Sequence, residues 1–312
     1  MTASTRSDLV KLLDSRLSIP NTNLETVQEN DYNLIYRYRY KNQNYVVRLS
    51  LKKSCEELKF EVKILEHLKK YRLPVPAIYE VDKLGRNPLM IMEFVEGFHI
   101  TKESVSRTLF LRCSKNAGRV LAKIHVAGID FKNNSSTATV RPLKEINLAL
   151  SRKAEINRSF LDGDQFIKDL VWATNFYKET KNSRKTILHN DYRPQNLLFN
   201  QSNEVAAVLD FDWAYISSSS IKDVAHSVLE WSMPDNQIVW DMRVIKAFLT
   251  GYNSSSIEKI VLDKTLLDWM KFSALSDAAT YITRTMQPGK TTRINSYMYE
   301  KFKLIKVLRG KL

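Results

Sequence analysis

A short polar turn between two apolar runs is the feature that most constrains how this sequence can fold. The turn is Asn200–Glu204, with Leu197–Phe199 before it and Val205–Leu209 after it. Two apolar runs joined by a short polar segment are typical of a β-hairpin. The sequence therefore predicts a hairpin here.

Polar side chains lie at the open end of this predicted hairpin. If the turn folds about its centre, Asn196 lies opposite Leu209 and beside Asp210, with Asp191 in the loop just before the first strand. Amide and carboxylate oxygens are hard ligands suited to Mg²⁺, whose coordination is completed by phosphate oxygens and water. A separate carboxylate can accept a hydroxyl proton beside that metal. The arrangement predicts a phosphoryl-transfer site.

The spacing of these residues also carries a family resemblance. His189-x-Asp191-x-x-x-x-Asn196, followed by Asp210-Phe-Asp212, is close to the kinase catalytic loop and metal-binding Asp. At these residues the chain resembles the aminoglycoside phosphotransferase and choline kinase family, which includes homoserine kinase type II and methylthioribose kinase. The pair of motifs is specific, whereas either motif alone occurs by chance.

This resemblance implies an α+β, bilobal, protein-kinase-like fold. Residues 1–96 are expected to form a small antiparallel-sheet lobe that binds nucleotide, and residues 97–312 a larger, mainly helical lobe for catalysis and substrate binding. The implied reaction moves the γ-phosphate of ATP, with Mg²⁺, to a hydroxyl of a small metabolite or antibiotic. An amino alcohol such as homoserine or choline, or a sugar, is favoured over an aminoglycoside.

The resemblance assigns roles within the catalytic loop. Asp191 is expected to act as general base or to orient the hydroxyl, and Asn196 and Asp210 to hold Mg²⁺. Asp212 is expected to add a supporting or second-metal contact. Arg193 would stabilise charge on the phosphoryl group in transfer, which is the main catalytic need of a loose transition state.

The expected nucleotide grip lies on the third strand and the following helix. Arg48 stands where kinases place a phosphate-binding Lys, and Glu61 is expected to pair with it. An Arg simply exposed on a strand is the competing interpretation. The segment Glu29–Asn33, which would cover the phosphates, contains no glycine, and relatives often use a looser loop with an Asn near the position of Asn33.

The segment Glu93–Gly97 resembles the connector between the lobes. Backbone groups of Glu93, Phe94 and Val95 would meet the purine edge, and Met92 would line the pocket. Met92 as a core residue is an equally good interpretation.

Other residues are expected to support the loop. Asp223 resembles a buried Asp at a helix start that accepts hydrogen bonds from the loop backbone, and His125 and His189 are interpreted as structural. Only about a dozen residues separate Asp210 from Asp223, and the Ala-Pro-Glu sequence of protein kinases is missing. This favours a small substrate over a protein substrate.

Helical spacing and caps predict most of the remaining elements. Ser54 and Glu57 form a capping-box pattern that begins a helix ending near Tyr71. We expect two helices within Leu143–Lys181 and one from Ile257 to Tyr281. The basic loop Arg284–Arg293 either recognises an anionic group or is solvated.

The composition limits the classes of protein to which this chain can belong. The formal net charge of +14 could indicate a nucleic-acid partner, but the 48 Lys and Arg are dispersed, which favours a basic surface instead. Cys55 and Cys113 are too few for a disulfide framework. With no secretory signal or spanning segment, we expect a cytoplasmic protein without a membrane partner. The alternatives that stay open are a non-catalytic nucleotide-binding scaffold and a protein kinase.

Overall fold

The protein is described from a computed structural model. It describes residues 3–17, 24–132, 143–179, 185–233, 238, 240–286 and 292–311. The central part of the predicted basic loop, 287–291, lies outside these ranges. The chain divides into two compact units, one of residues 1–97 with 206–212 and the other of residues 98–205 with 213–312.

The first unit is built on a five-stranded antiparallel sheet in the order β1-β2-β3-β5-β4. Its elements are α1 (Ala3–Leu17), β1 (Glu25–Glu29), β2 (Asn33–Tyr40), β3 (Gln43–Ser50), α2 (Cys55–Lys70), β4 (Ile78–Leu84) and β5 (Asn87–Glu93). Lys41 and Asn42 both have positive φ, at 45° and 64°, as a two-residue hairpin turn between right-twisted strands requires. The antiparallel sheet expected in this part of the chain is therefore present.

Helix α2 begins as its local sequence predicts. The Ser54 side chain accepts the Glu57 N–H, and the Glu57 carboxylate accepts the Ser54 N–H, which completes the capping box. Its buried face, including Leu58 and Val62, packs against Met90 of β5. This packing fixes Glu61, one turn after Leu58, toward the sheet.

The second unit is mainly helical. Its helices are α3 (Arg107–Gly128), α4 (Lys144–Ser151), α5 (Lys153–Ser159), α6 (Gly163–Glu179), α7 (Ser220–Ser232), α8 (Met242–Asn253), α9 (Lys264–Thr285) and α10 (Tyr297–Lys311). Helices α3 and α8 approach closely because each has a glycine at the contact. A Cβ at Gly118 would overlap the Phe248 carbonyl, and one at Gly251 would overlap the Lys115 carbonyl.

Two small sheets flank the catalytic loop. Strand β6 (Thr186–Leu188) pairs antiparallel with β9 (Tyr215–Ser217), and β7 (Leu197–Phe199) forms a two-stranded sheet with β8 (Val205–Val208). The Asn200 N–H donates to the Glu204 carbonyl at 3.0 Å and closes the polar turn. The predicted hairpin is therefore present.

Two helix predictions were wrong. The segment expected to hold two helices was Leu143–Lys181. The part of it that the structure describes, 143–179, contains three, because the chain breaks at Arg152 and again at Phe160. The helix expected from Ile257 begins only at Lys264, where the Asp263 side chain accepts the Leu266 N–H and caps it. Before that point, apolar residues at helical spacing belong to a loop.

Among the residues that the structure describes, no helix combines the length and the apolar character needed to cross a lipid bilayer.

Candidate active site

The catalytic loop leaves β6 through a left-handed residue. Asn190 has φ of 63°, a conformation that Asn tolerates better than most side chains. Its N–H donates to Asp223 Oδ1 at 2.8 Å, and its side-chain oxygen accepts from the Lys222 ammonium. The turn that presents Asp191 is thus held from both its backbone and its side chain.

Asp223 is the anchor of this loop. The fully buried carboxylate accepts the His189 N–H at 2.7 Å as well as the Asn190 N–H, and His125 Nε2 lies 3.0 Å from its Oδ2. Burial alone would raise the pKa of Asp223, but the bond and charge of His125 and the loop N–H groups lower the pKa to about 2. The prediction that Asp223 binds the loop backbone is confirmed.

Both predicted structural histidines have structural contacts. His125 lies between Asp223 and the Tyr252 hydroxyl, 2.8 Å from its Nδ1. His189 is fully buried, and its Nδ1 accepts the Asp191 N–H at 3.3 Å. His125 thus connects the anchor to helix α8, and His189 braces the loop from within.

The structure brings Asp191, Arg193 and Asn196 together. Asn196 Nδ2 donates to the Asp191 carbonyl at 2.8 Å and to Asp191 Oδ2 at 2.9 Å, and Arg193 Nε lies 3.3 Å from Asp191 Oδ1. The Asp191 side chain remains 18% exposed. Since the amide nitrogen of Asn196 is used in these bonds, its amide oxygen is the atom able to ligate a cation.

In the first unit, Arg48 and Glu61 form the predicted pair. Arg48 Nη2 donates to Glu61 Oε2 at 2.5 Å, and both side chains are almost fully buried. Burial disfavours the charged form of Arg48, but the Glu61 and Asp212 carboxylates outweigh that effect and raise its pKa. The alternative of an exposed Arg on a strand is wrong.

Asp212 belongs to the same cluster. Arg48 Nη1 and the Lys53 ammonium lie 2.9 and 3.0 Å from Asp212 Oδ1, and Asn33 Nδ2 donates to Oδ2 at 2.7 Å. Burial would raise the pKa of Asp212, but the two cations outweigh it and lower the pKa. Lys53 was not predicted as a site residue, because nothing in the neighbouring sequence distinguishes it from the exposed Lys52 beside it.

The glycine-free segment before β2 is ordered by asparagine side chains. Asn30 Oδ1 accepts the N–H groups of Tyr32 and Asn33, both at 2.8 Å. The Asn33 side chain accepts from the Ser50 hydroxyl at 3.0 Å as well as donating to Asp212. Asparagine bonds thus fix a turn that glycines would leave more open.

The connector residues lie at the end of β5. The Glu93 N–H donates to the Ala77 carbonyl at 2.8 Å, so this donor is already used within the first unit. Burial would raise the pKa of the Glu93 carboxyl, but the Ala77 N–H and the Lys69 ammonium lower it. The Arg37 guanidinium lies 4.5 Å over the Phe94 ring. Met92 is partly buried against the apolar cluster beneath α2.

Whether the expected Mg²⁺ fits this site depends on the donor atoms that the side chains offer. Asp210 has φ of 60°, an uncommon backbone conformation that recurs at functional sites, and its charge acts on Arg48. Within the part of the chain that the structure describes, no group of three or more His, Cys, Asp or Glu side chains could hold a metal ion. Mg²⁺ prefers hard oxygen donors and uses one or two protein oxygens together with substrate phosphates. The Asn196 amide oxygen and the Asp210 carboxylate are donors of that kind, so their chemistry suits this ion.

Comparisons with known proteins show which sequences this chain resembles. The model of the phosphotransferase enzyme family (APH) matches residues 24–255. Homoserine kinase of Caulobacter vibrioides is 26% identical over 200 residues, which cover 61% of this chain and 58% of that protein. The chain thus spans less than two thirds of that relative's length.

Solved structures share the fold. The choline kinase LicA of Streptococcus pneumoniae has a TM-score of 0.69 at 14% identity, with 99% of this chain and 100% of that chain covered. Amicoumacin kinase in complex with AMP-PNP, Ca²⁺ and Ami has a TM-score of 0.67 at 13% identity, with coverage of 100% and 96%. The fold is the α+β, protein-kinase-like fold of these phosphotransferases, as predicted. The chain belongs to the phosphotransferase enzyme family.

Proposed function

We propose that this chain is a kinase that transfers the γ-phosphate of ATP, with Mg²⁺, to a hydroxyl group of a small molecule. The observation that carries the proposal is the partly exposed Asp191 carboxylate, held in place by Asn196 and by the loop that Asp223 anchors. The likeness to homoserine kinases supports it. Residues 1–96 are proposed as the nucleotide lobe and residues 97–312 as the catalytic and acceptor lobe.

Asp191 accepts or aligns the hydroxyl proton. A carboxylate within hydrogen-bond reach of an acceptor hydroxyl serves as general base, and such a group contributes about 10²–10⁴ in rate. Arg193, whose Nε lies beside Asp191, supplies a positive charge for the phosphoryl group during transfer. Both residues reside on one short loop, so they keep a fixed relation to each other.

Asn196 and Asp210 are the proposed Mg²⁺ ligands. The Asn196 amide oxygen and the Asp210 carboxylate are hard donors, and the ion neutralises phosphate charge when bound. Asp212 has a supporting role, because its oxygens already bind Arg48, Lys53 and Asn33. Glu93, Phe94, Val95 and Met92 are proposed to contact the base through the connector, and Arg48, held by Glu61, to contact the phosphates.

We propose an amino alcohol, homoserine- or choline-like, or a sugar as the acceptor, ahead of an aminoglycoside. Among these, the likeness to homoserine kinases favours the amino alcohol.

The test is ADP release from Mg-ATP with a panel of hydroxyl compounds that includes homoserine, choline, ethanolamine, sugars and an aminoglycoside. We expect an amino alcohol to elicit ADP, and Asp191→Asn to lower turnover about 10²–10⁴-fold while leaving the Kd for Mg-ATP unchanged. If Mg-ATP raises the melting temperature but no compound elicits ADP, a nucleotide-binding scaffold is the better interpretation. Unchanged turnover in Asp191→Asn would refute its role.

A further inference from the structure

Lys53 occupies a position that the family motifs do not explain. It follows β3, five residues after Arg48, and its side chain is only 12% exposed. Its ammonium lies 2.5 Å from Glu61 Oε2 and 3.0 Å from Asp212 Oδ1. These are the two carboxylate oxygens that also bind Arg48.

Two cations therefore converge on single oxygen atoms. The Arg48 guanidinium and the Lys53 ammonium meet at Asp212 Oδ1, an arrangement also used to hold a phosphate oxygen. The Glu61 and Asp212 carboxylates balance these two positive charges. A buried ion cluster is weak evidence for stabilisation, because its replacement by well-packed apolar residues is often neutral or stabilising. Stability alone therefore does not explain the cluster.

Both cations also have N–H donors that these ion pairs do not use. An ammonium has three N–H groups, and two of those on Lys53 face Glu61 and Asp212. The Arg48 side chain is 5% exposed, and among the residues that the structure describes its Nε has no hydrogen-bond partner. Buried donors are nearly always satisfied, so an unused one indicates a missing acceptor.

We propose that Lys53 is a second phosphate-binding residue, which works beside Arg48 on the phosphates of the bound nucleotide. Glu61 and Asp212 are positioning residues that bring the two cations together and fix their spare N–H groups. Lys53 takes the role of a point charge, and Arg48 that of a planar donor. This inference rests on the proposed function, because it adds a residue to the same nucleotide site.

The experiment compares Lys53→Met with Lys52→Met by calorimetric titration of Mg-ATP, Mg-ADP, AMP and adenosine. Lys52 is the matched control, since it is exposed and adjacent and its ammonium lies over the Tyr32 ring. A charge-assisted hydrogen bond is worth roughly 1.5–3 kcal/mol, so Lys53→Met should weaken Mg-ATP binding by about 10–100-fold. Adenosine affinity should stay within about twofold, and Lys53→Arg, which keeps the positive charge, should lose less Mg-ATP affinity than Lys53→Met.

The outcomes separate this inference from the proposed function. If wild-type protein binds none of the four ligands, the proposed nucleotide site fails and this role for Lys53 fails with it. Suppose that the wild type binds Mg-ATP but Lys53→Met weakens the binding of adenosine and Mg-ATP equally, or weakens the binding of neither. Then only the assignment of Lys53 is overturned. Thermal unfolding of each variant, with Lys53→Arg as the charge-preserving form, shows whether the compared proteins are folded.

Discussion

Replacing Asp223 with asparagine tests the anchor of the catalytic loop. The carboxylate is fully buried and receives the N–H groups of His189 and Asn190 together with a bond from His125. Asparagine has nearly the same shape but only one acceptor oxygen. Its amide nitrogen would face a donor, so at least one buried N–H would lose its partner.

The expected loss of stability in Asp223→Asn follows from the pKa of Asp223. A pKa that falls from 3.8 to about 2 on folding corresponds to about 2 kcal/mol of stability at neutral pH. A buried donor without a partner adds a cost of about 1–3 kcal/mol. Because these terms overlap, we expect Asp223→Asn to lower the free energy of unfolding by roughly 2–4 kcal/mol.

The pH dependence has a definite sign. Because the folded-state pKa is depressed, the contribution of Asp223 is fully present above its ordinary pKa of 3.8 and is lost as the pH falls toward 2. The difference in stability between wild type and Asp223→Asn should therefore be constant from pH 7 to pH 5. It should then shrink by about 1 kcal/mol at pH 3.

Urea unfolding followed by tryptophan fluorescence measures both the loss in free energy of unfolding and its change with pH. Asp31→Asn is the control, since Asp31 is exposed and its replacement should change stability by no more than about 0.5 kcal/mol. Two results would refute the reasoning: a loss below about 1 kcal/mol at pH 7, or a difference that does not narrow on acidification.

Two further changes test the fold. Gly251→Ala should destabilise the protein by about 1–3 kcal/mol or more in thermal melts, because the added Cβ would overlap the Lys115 carbonyl. Gly310→Ala is the control: its added Cβ meets nothing within 4 Å, so this change should be neutral or mildly stabilising. Ser54→Ala removes the capping oxygen that accepts the Glu57 N–H and should cost about 1 kcal/mol in urea unfolding; a loss indistinguishable from zero would mean that other contacts hold the start of α2.

Local signals predicted the elements that position the site. Helix α2 begins where Ser54 and Glu57 place it, because a capping box works within four residues and needs no distant partner. The hairpin at Asn200–Glu204 likewise depends on its own turn. The Arg48–Glu61 pair was predicted through the family resemblance, and the structure confirms the contact.

Distant contacts explain the failures. The break at Arg152 has no glycine or proline to announce it, and its guanidinium binds Glu155 and the Thr283 carbonyl, 131 residues away. Phe160 leaves the helix to form an isolated bridge with Thr292. Such breaks depend on partners that periodicity does not reveal.

The late start of α9 has a similar cause. Asn253 binds both the N–H and the carbonyl of Ile260 at 2.9 and 2.8 Å, which holds the preceding loop in place. Asp263, an N-cap residue type, was the available signal for the true start. Lys53 could not be distinguished, because its burial depends on a carboxylate 159 positions later in the chain.

The link from Asp223 through His125 to Tyr252 has an evolutionary consequence. The loop's geometry is specified by polar groups deep among the helices, whereas the helices between residues 143 and 179 contribute none of these bonds. Sequence change in those helices can therefore leave these hydrogen bonds, and with them the position of Asp191, undisturbed. The catalytic loop and those helices can thus diverge independently of each other.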